Sequence, residues 1–413
     1  MRSPRLNALA ALLFVACNGG DGVIDVGSDP RVPDESVRPL LAVELAVAAA
    51  SNEFGMDLFR QVAAAESDAN VLISPLSASL ALGMTLNGAD GTTYTAMRDA
   101  LGFAGMTEAE INAAYRGLIP QLAARDDEVE FRLANAIWYR IGFDVEQPFL
   151  DAVANSFFAR AAAIDFDDPR APRSISQWAE DQTGGRIKDL VEEIDPNDVM
   201  FLINAVYFKA PWATPFVPAA TRSEPFTRSS GGSVSVPTMN NDAGYPQLLT
   251  PLVQIVELIY ADSAFSMVLV APADGSSLAQ LTAGLTPGRW ADWMDGLQNG
   301  RIMLSLPRFS FDYDVTMNDA LMALGMGVAF DEMNANFDRI HHETRNDLYI
   351  SKVRQKAFID VHELGTEAAA ATSVTVSVTS MPPQVRFDRP FLFAIRERSS
   401  GAILFIGRVG DPS

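Results

Sequence analysis

Residues 363–383 read ELGTEAAAATSVTVSVTSMPP, and after Glu367 this stretch contains no charged and no aromatic residue. From Thr366 onward every second position carries a small or apolar side chain, and the positions between carry most of the polar ones. The first set is Thr366, Ala368, Ala370, Thr372, Val374 and Val376, and the second is Glu367, Ala369, Ala371, Ser373, Thr375 and Ser377. A period of two is typical of a β-strand, so this stretch could lie in a sheet with one face buried.

A second interpretation of the same stretch is equally compatible with its pattern. Alanine is the best helix former, so residues 367–371 suit a helical turn, and the Ser/Val/Thr part then suits a plain edge strand. A long apolar edge strand next to two prolines would, however, invite aggregation if it were left exposed. The pattern alone does not choose between the two interpretations.

Size and charge restrict the class of protein. The chain has 413 residues, of which 48% are hydrophobic, and a formal net charge of -21 at pH 7. This excess of carboxylates repels nucleic-acid phosphates and anionic lipid surfaces. We therefore expect a large buried core and no nucleic-acid partner. After residue 17 no stretch reaches the roughly 20 apolar residues of a membrane span.

The N-terminus has the layout of an export signal. Arg2 and Arg5 precede an apolar run at residues 9–16, and the only cysteine, Cys17, follows. A small residue before a lone cysteine resembles the lipobox of bacterial lipoproteins, although Phe14 stands where that pattern usually has leucine. Acylation of Cys17 would anchor the protein to a membrane, and an ordinary cleaved signal peptide is the alternative.

This leader predicts a protein exported to the extracellular space or to the surface of the cell envelope. Because no cysteine remains after residue 17, the exported body relies on its core instead of disulfides. Residues 18–45 are rich in Gly, Asp, Pro and Val and predict a flexible acidic tether. Residues 46–413 predict one folded domain.

Hydrophobic periodicity predicts an α+β fold with mixed or antiparallel sheets and surrounding helices. Helical spacing occupies residues 54–62, 80–84, 108–123 and 318–324. Candidate strands occupy residues 71–73, 199–208, 255–260, 265–270 and 302–306. Strands and helices do not alternate strictly, and this disfavours a doubly wound fold.

The sequence contains no complete catalytic machinery. The histidines available as general bases are His341, His342 and His362, and the first two lie in a polar stretch typical of a solvated loop. Motifs of P-loops, zinc proteases, dinucleotide-binding sites and nucleophile elbows are absent. We therefore predict no catalytic residue, no metal and no cofactor.

Residues 350–372 resemble the hinge of the serpin family, and in particular that of inhibitory members. The residues at the centre of this resemblance are Gly365, Thr366, Glu367, Ala368, Ala369, Ala370, Ala371 and Thr372. Other segments resemble serpins in the same order: residues 70–97 (NVLISPLSASLALGMTLNGADGTTYTAM), 178–212 (with TGGRIKDL and NAVYFKAPW), 387–393 (FDRPFLF) and 401–412 (GAILFIGRVGDP). Together they cover nearly all of the chain from about residue 50, and the lipobox-like leader favours a bacterial source.

The resemblance implies a serpin fold with an exposed reactive-centre loop at about residues 364–384. In serpins the scissile bond lies at a nearly fixed distance from the hinge glutamate and from the following Pro-Pro, which on this chain places it between Thr379 and Ser380. The protease forms an acyl-enzyme there, and the cleaved loop inserts into the central sheet. The resemblance thus implies a monomeric protease inhibitor that is not an enzyme.

The residue before the scissile bond predicts the target. Thr379 is small, β-branched and neutral, and Val378 precedes it. Such a residue suits the shallow apolar pocket of an elastase-like or subtilisin-like serine protease better than a pocket for a cation. Val378 and Met381 are candidates for secondary cleavage.

Five further positions match serpin residues that control opening of the central sheet. They are Ser74, Ser77, Asn204, Gln355 and Trp212. Gln355 replaces the histidine usual in the family, so it can donate and accept hydrogen bonds but cannot titrate. The main alternative to inhibition is a non-inhibitory serpin that acts as a binding or chaperone-like module. The small-residue hinge argues against it, and an enzyme with an unfamiliar site is a third class.

Overall fold

The computed structural model describes residues 23–25, 32, 36–66, 69–274, 276–342, 348–366 and 382–413. The helices are α1 (Ala42–Ala65), α2 (Pro75–Leu86), α3 (Gly91–Ala100), α4 (Glu108–Ala123), α5 (Gln147–Phe157), α6 (Ala171–Gln182), α7 (Leu278–Ala283), α8 (Pro287–Asp295) and α9 (Asn318–Leu321). The strands are β1 (Val23–Asp25), β2 (Val71–Ile73), β3 (Glu130–Arg140), β4 (Ala159–Ile164), β5 (Met200–Pro211), β6 (Arg222–Thr227), β7 (Ser233–Leu249), β8 (Val253–Ile259), β9 (Phe265–Pro272), β10 (Gln298–Pro307), β11 (Phe309–Thr316), β12 (Arg354–His362), β13 (Gly365–Thr366), β14 (Gln384–Arg386), β15 (Phe391–Glu397) and β16 (Ile403–Val409).

The strands form two sheets. The first sheet has the order β1-β4-β3-β5-β13-β12-β11, in which β3 and β4 are parallel. The second sheet has the order β14-β10-β7-β8-β9-β15-β16-β2, with β6 beside β7 and with β14 parallel to β10. Because both sheets mix parallel and antiparallel neighbours and are surrounded by helices, the predicted α+β class with mixed sheets is confirmed.

The core lies against the second sheet. β9 and β16 are buried at every residue, as expected from their continuous apolar runs FSMVLVAP and ILFIGRV. The helices α1 and α2 pack on this sheet and bury Phe54, Phe59 and Leu80 completely or nearly so. In the first sheet, β12 alternates buried and half-buried residues along its length. The first sheet therefore has one face on the core and one face outward.

Most predicted elements are present with shifted ends. The candidate strands correspond, in chain order, to β2, β5, β8, β9 and β10. Helix α4 has the predicted bounds, because Thr107 and Glu110 form a capping box at its start. The helix predicted over residues 318–324 is regular only to Leu321, and the chain then makes a wider turn in which Gly325 has a φ of 101°. A left-handed residue cannot continue a right-handed helix, so this helix is shorter than its apolar spacing suggests.

Regular structure begins before residue 46, the predicted start of the folded domain. Helix α1 begins at Ala42, where the Glu44 carboxylate accepts a hydrogen bond from the Leu41 N–H at 2.8 Å. Val23–Asp25, which lies inside the predicted tether, forms β1 and pairs with β4 at the edge of the first sheet. None of the helices in the described part of the chain is long and apolar enough to cross a bilayer.

Candidate functional site

Strand β13 is two residues long and lies in the middle of the first sheet. Thr366 pairs with Ala210 of β5 on one side and with Val361 of β12 on the other. The preceding residue, Gly365, has a φ of 154°, a backbone conformation that residues with a Cβ rarely adopt. Gly365 and Thr366, two of the predicted hinge residues, are therefore part of the sheet. The backbone conformation at position 365 explains why a glycine stands there.

Below β13, β5 and β12 are not paired with each other in the part of the chain that the structure describes. Over the described residues 200–211 and 354–362, β5 pairs with β3 and β12 pairs with β11, and β5 and β12 are joined to each other only through β13. A small cavity of about 20 Å³ lies along this line, and its walls include Val206, Phe208 and Ile359. Among the described residues, the facing edges of β5 and β12 below β13 have no strand paired to them.

Trp212 holds the turn that leads from β12 into β13. This hinge turn, residues 362–365, accepts two hydrogen bonds from Trp212, each of 2.9 Å: the backbone N–H donates to Leu364 O and the indole Nε1–H donates to His362 O. Trp212 itself is buried. Trp212, which is predicted to control sheet opening, therefore lies beside the start of β13. It is also a packed core residue.

Tyr260, which the sequence did not single out, contacts both Trp212 and Thr366. The rings of Tyr260 and Trp212 stack with centroids 4.4 Å apart and planes inclined by 15°. The Tyr260 hydroxyl is hydrogen-bonded to the Thr366 Oγ1 at 2.7 Å. Burial raises the pKa of Tyr260 well above its ordinary value, so the phenol stays protonated. Its one sequence signal, an aromatic residue directly after a buried strand, also describes ordinary core residues.

Glu363 lies in the hinge turn as a buried carboxylate. Its Oε1 accepts hydrogen bonds from Arg308 Nε at 2.8 Å, from Arg308 Nη2 at 2.5 Å and from the Thr221 hydroxyl. Burial opposes ionisation, but the donors Arg308 and Thr221 outweigh it and hold the pKa of Glu363 below its ordinary value. These two donors lie 55 and 142 residues away along the chain, so the sequence alone does not reveal them.

Acid is expected to weaken the hinge turn. Because the pKa of Glu363 is lower in the folded protein than its ordinary value of 4.5, its ionisation stabilises the fold fully above that pH and less as the pH falls through the folded pKa. Arg308 is half exposed, so this contribution should be about 1 kcal/mol or less. Urea unfolding from about pH 5 to about pH 3 should therefore show a smaller loss of stability for Glu363→Gln than for wild type.

The exposed residue Glu193 provides the control for this measurement. Glu193→Gln also removes one carboxylate, but from the surface, and should follow the wild-type pH dependence. Identical pH profiles for Glu363→Gln and wild type would contradict the expected contribution of the buried carboxylate.

Gln355 and Ser74 are hydrogen-bonded to each other beneath the first sheet. The Ser74 N–H donates to Gln355 Oε1 at 2.8 Å, and Gln355 Nε2 donates to Ser74 O at 3.1 Å. The Ser74 hydroxyl donates to Leu404 O at 2.6 Å and accepts from the Ser77 N–H, which caps α2. The amide of Gln355 thus joins β12 to the start of α2 without any titratable group.

Asn204, which is also predicted to control opening of the central sheet, makes a different contact. Its Nδ2 donates to Asn135 Oδ1 across the β3–β5 pair, and Asn135 Nδ2 in turn donates to Phe157 O at 2.6 Å. Among the described residues the Asn204 Oδ1 is buried without a hydrogen-bond partner. The structure therefore groups Ser74, Ser77 and Gln355 and leaves Asn204 bonded within the β3–β5 pair.

The histidines have ordinary structural partners. His341 Nδ1 lies 2.7 Å from Asp144 O, and the exposed His342 is paired with Glu146. His362 Nδ1 accepts from the Leu364 N–H at 3.3 Å inside the hinge turn. In the part of the chain that the structure describes, no group of three or more His, Cys, Asp or Glu residues is arranged to hold a metal ion.

The predicted reactive bond lies outside the described residues, and so do most of the hinge and the lipidation site. The residues concerned are Cys17, Glu367, Ala368, Ala369, Ala370, Ala371, Thr372, Thr379 and Ser380. The described chain stops at Thr366 in the middle of the first sheet and resumes two residues before Gln384, where β14 pairs with β10 of the second sheet. The intervening segment therefore connects the two sheets.

Comparison with known proteins identifies relatives over nearly the whole chain. The family model "Serpin (serine protease inhibitor)" matches residues 49–412. Neuroserpin of Mus musculus is 32% identical over 399 residues, which cover 90% of this chain and 95% of that protein. The thermophilic serpin Tengpin in its native state superposes with a TM-score of 0.81 at 31% identity and covers 94% of this chain and 99% of its own. Human thyroxine-binding globulin complexed with thyroxine superposes with a TM-score of 0.82 at 29% identity and covers 90% of this chain and 100% of its own.

Proposed function

The chain belongs to the serpin family, and we propose that it is an inhibitory member that traps a serine protease as a suicide substrate. The observation that carries the proposal is the position of β13 between β5 and β12. Thr366 is already paired on both sides, so a strand that continued from it would run between edges of β5 and β12 to which no other described strand is paired. This start favours insertion of the following residues over a loop that only binds.

The register of β13 predicts the surroundings of each inserted residue. If the strand continues without a bulge, Ala370 comes opposite Val206 of β5 and Ala357 of β12, both of which are buried. Residues directly opposite each other share a face, so the even-numbered residues would point to the core as Thr366 does. All of these residues are small or apolar in the sequence, and this supports insertion over a helical turn.

The proposed reaction begins as ordinary proteolysis. The serine Oγ of the protease attacks the carbonyl carbon of Thr379, the bond to the Ser380 nitrogen breaks, and that amine leaves with a proton. Thr379 stays bound to the protease as an ester. Insertion of residues 366–379 at about 3.3 Å per residue then moves the ester by roughly 46 Å.

Burial and hydrogen bonding supply the driving force. Each new ladder hydrogen bond contributes about 1 kcal/mol net. Burial of Val374 and Val376 adds about 1.5 to 3 kcal/mol each. The inserted form should therefore be more stable than the uncleaved form, and the ester should be held away from the site where the protease first bound.

The same proposal extends to the target and the location. The neutral Thr379 favours an elastase-like or subtilisin-like serine protease. The leader favours export, and a lipobox-like Cys17 favours a bacterial lipoprotein held at the cell surface. The protein would then act on proteases outside the cell as a monomer.

Mixing the protein with proteases tests the proposal. The body without residues 1–17 is incubated with an elastase, a subtilisin and a trypsin, and the products are separated on a denaturing gel. A stable band at the summed mass, together with a released fragment that begins at Ser380, is the expected result with elastase or subtilisin. Cleavage without such a band by each protease would favour a non-inhibitory serpin.

A further inference from the structure

We infer that Tyr260 and Thr366 form a hydroxyl pair that holds Thr366, the first residue of the strand to be inserted, in the sheet before cleavage. The inference rests on the proposed function, because it concerns how insertion begins. The two oxygens are 2.7 Å apart, and both residues are almost completely buried. Both hydroxyls would lose this buried partner if Thr366 left the sheet, so the pair favours the seated position.

Tyr260 is itself fixed by the strand that Thr366 joins. The N–H of the next residue, Ala261, donates to Pro211 O at the end of β5, and the Tyr260 N–H donates to Phe265 O. Ala261 has a φ of 34°, a rare value for a residue with a Cβ, so the turn after β8 is shaped for this contact. The phenol is therefore presented at a fixed place beside the end of β5.

The ring of Tyr260 packs against aromatic side chains, and its hydroxyl contacts Thr366. Its ring stacks on Trp212 and meets the ring of Phe208 edge-on, with centroids 5.1 Å apart. The phenol hydroxyl of Tyr260 is hydrogen-bonded to Thr366. Replacement of tyrosine by phenylalanine should therefore keep the packing and remove only the contact with the loop.

A seated first residue changes the competition that follows acylation. The acyl-enzyme either is hydrolysed, which releases active protease and spent inhibitor, or is trapped by insertion. Starting a strand requires backbone order before many hydrogen bonds form, so a strand that has already begun grows faster than one that must begin anew. Tyr260 is thus a positioning residue for insertion and does not touch the protease.

The first test is the number of inhibitor molecules consumed for each protease molecule trapped. Tyr260→Phe and Thr366→Val should each raise this number on the order of 2- to 10-fold, the factor that corresponds to one net hydrogen bond. Thr366→Ser keeps the hydroxyl and should stay near wild type. The double variant Tyr260→Phe/Thr366→Val should be no worse than either single variant, because both remove the same contact.

Tyr245 provides a matched control for loss of a buried phenol hydroxyl. It is buried in the second sheet, and its hydroxyl accepts from Asn241 Nδ2 at 3.1 Å. Tyr245→Phe should leave the consumption of inhibitor unchanged. Equal consumption by Tyr260→Phe and Tyr245→Phe would overturn the inference, as would a Thr366→Ser variant that behaves like Thr366→Val.

Hydrogen exchange separates this inference from the proposed function. In the uncleaved wild-type protein the backbone amides of residues 364–366 should be protected, and in Tyr260→Phe they should exchange faster by a similar factor. If wild type forms no covalent complex, the proposed function fails. The rate of amide hydrogen exchange at residues 364–366 then decides by itself whether the hydroxyl pair holds Thr366 in the sheet. Unchanged protection in Tyr260→Phe would overturn the pair even if trapping is efficient.

Discussion

Replacement of Ala370 by arginine is expected to turn the proposed inhibitor into a substrate. If the register of Thr366 continues without a bulge, insertion would bring position 370 between Val206 and Ala357, whose side chains are 8% and 6% exposed. An unpaired guanidinium buried there costs about 3 to 5 kcal/mol, which would slow insertion by a factor on the order of 100 or more. Hydrolysis should then win, and the gel should show cleaved protein with almost no covalent complex.

The neighbouring residue supplies the control. Ala371→Arg adds the same side chain one position later, where the register brings it opposite Lys356 on the outward face of β12. Lys356 is itself charged and only half-buried on this face, so an arginine there would stay in contact with water and cost much less than at residue 370. Trapping by Ala371→Arg should remain close to wild type. Wild-type yield of complex from Ala370→Arg would mean that residue 370 is not buried by insertion.

The parts of the fold that were predictable from the sequence are those with a strong local signal. Residues 71–73 and 265–270 are apolar runs of strand length, and both lie in buried strands. Helix α4 carries its start signal in Thr107 and Glu110. The order of strands in the sheets has no local signal, because β5 and β12 are far apart in the chain and, among the described strands, are joined through β13.

The candidate site also combines residues that the sequence predicts with residues that it does not. Gly365 and Trp212 stand in segments that resemble the family, and the structure places both at the hinge turn. Arg308, Thr221 and Tyr260 have no pattern of their own, since their roles depend on contacts with Glu363 and Thr366 that only the fold creates. Long-range pairs of this kind are invisible to periodicity and spacing.

Asn204 joins two strands of the first sheet. Its amide donates to Asn135 on the adjacent strand β3, so it makes a different contact from Ser74 and Gln355. The amide oxygen and the amide nitrogen of Gln355 both bond the backbone of Ser74. Gln355 therefore satisfies both backbone groups of Ser74 without a contact to Asn204.

In the proposed mechanism, the contacts of the hinge turn would serve both the uncleaved and the inserted form. Glu363 is held by Arg308 and Thr221, and the turn is held by Trp212. None of these partners lies on the line between β5 and β12 below β13, so none has to move when the strand grows. Insertion can then proceed from a fixed start at the expense of few existing hydrogen bonds.

Replacement of Thr379 by arginine is expected to redirect the inhibitor to trypsin without damage to the trap. The residue before the scissile bond fills the primary pocket of the protease, and a pocket that binds a cation discriminates strongly against threonine. Trapping of trypsin by Thr379→Arg should be at least about 100-fold faster than by wild type, and trapping of elastase should fall by a similar factor. Residue 379 is odd-numbered, so if the register of β13 continues without a bulge its side chain would face away from the core, where an arginine would stay solvated after insertion. Ser377→Arg adds the same charge on the same face, two residues before the reactive position, and should leave trypsin untrapped. Fast trapping of trypsin by Ser377→Arg, or a released fragment that does not begin at Ser380 with Thr379→Arg, would show that another bond is the reactive one.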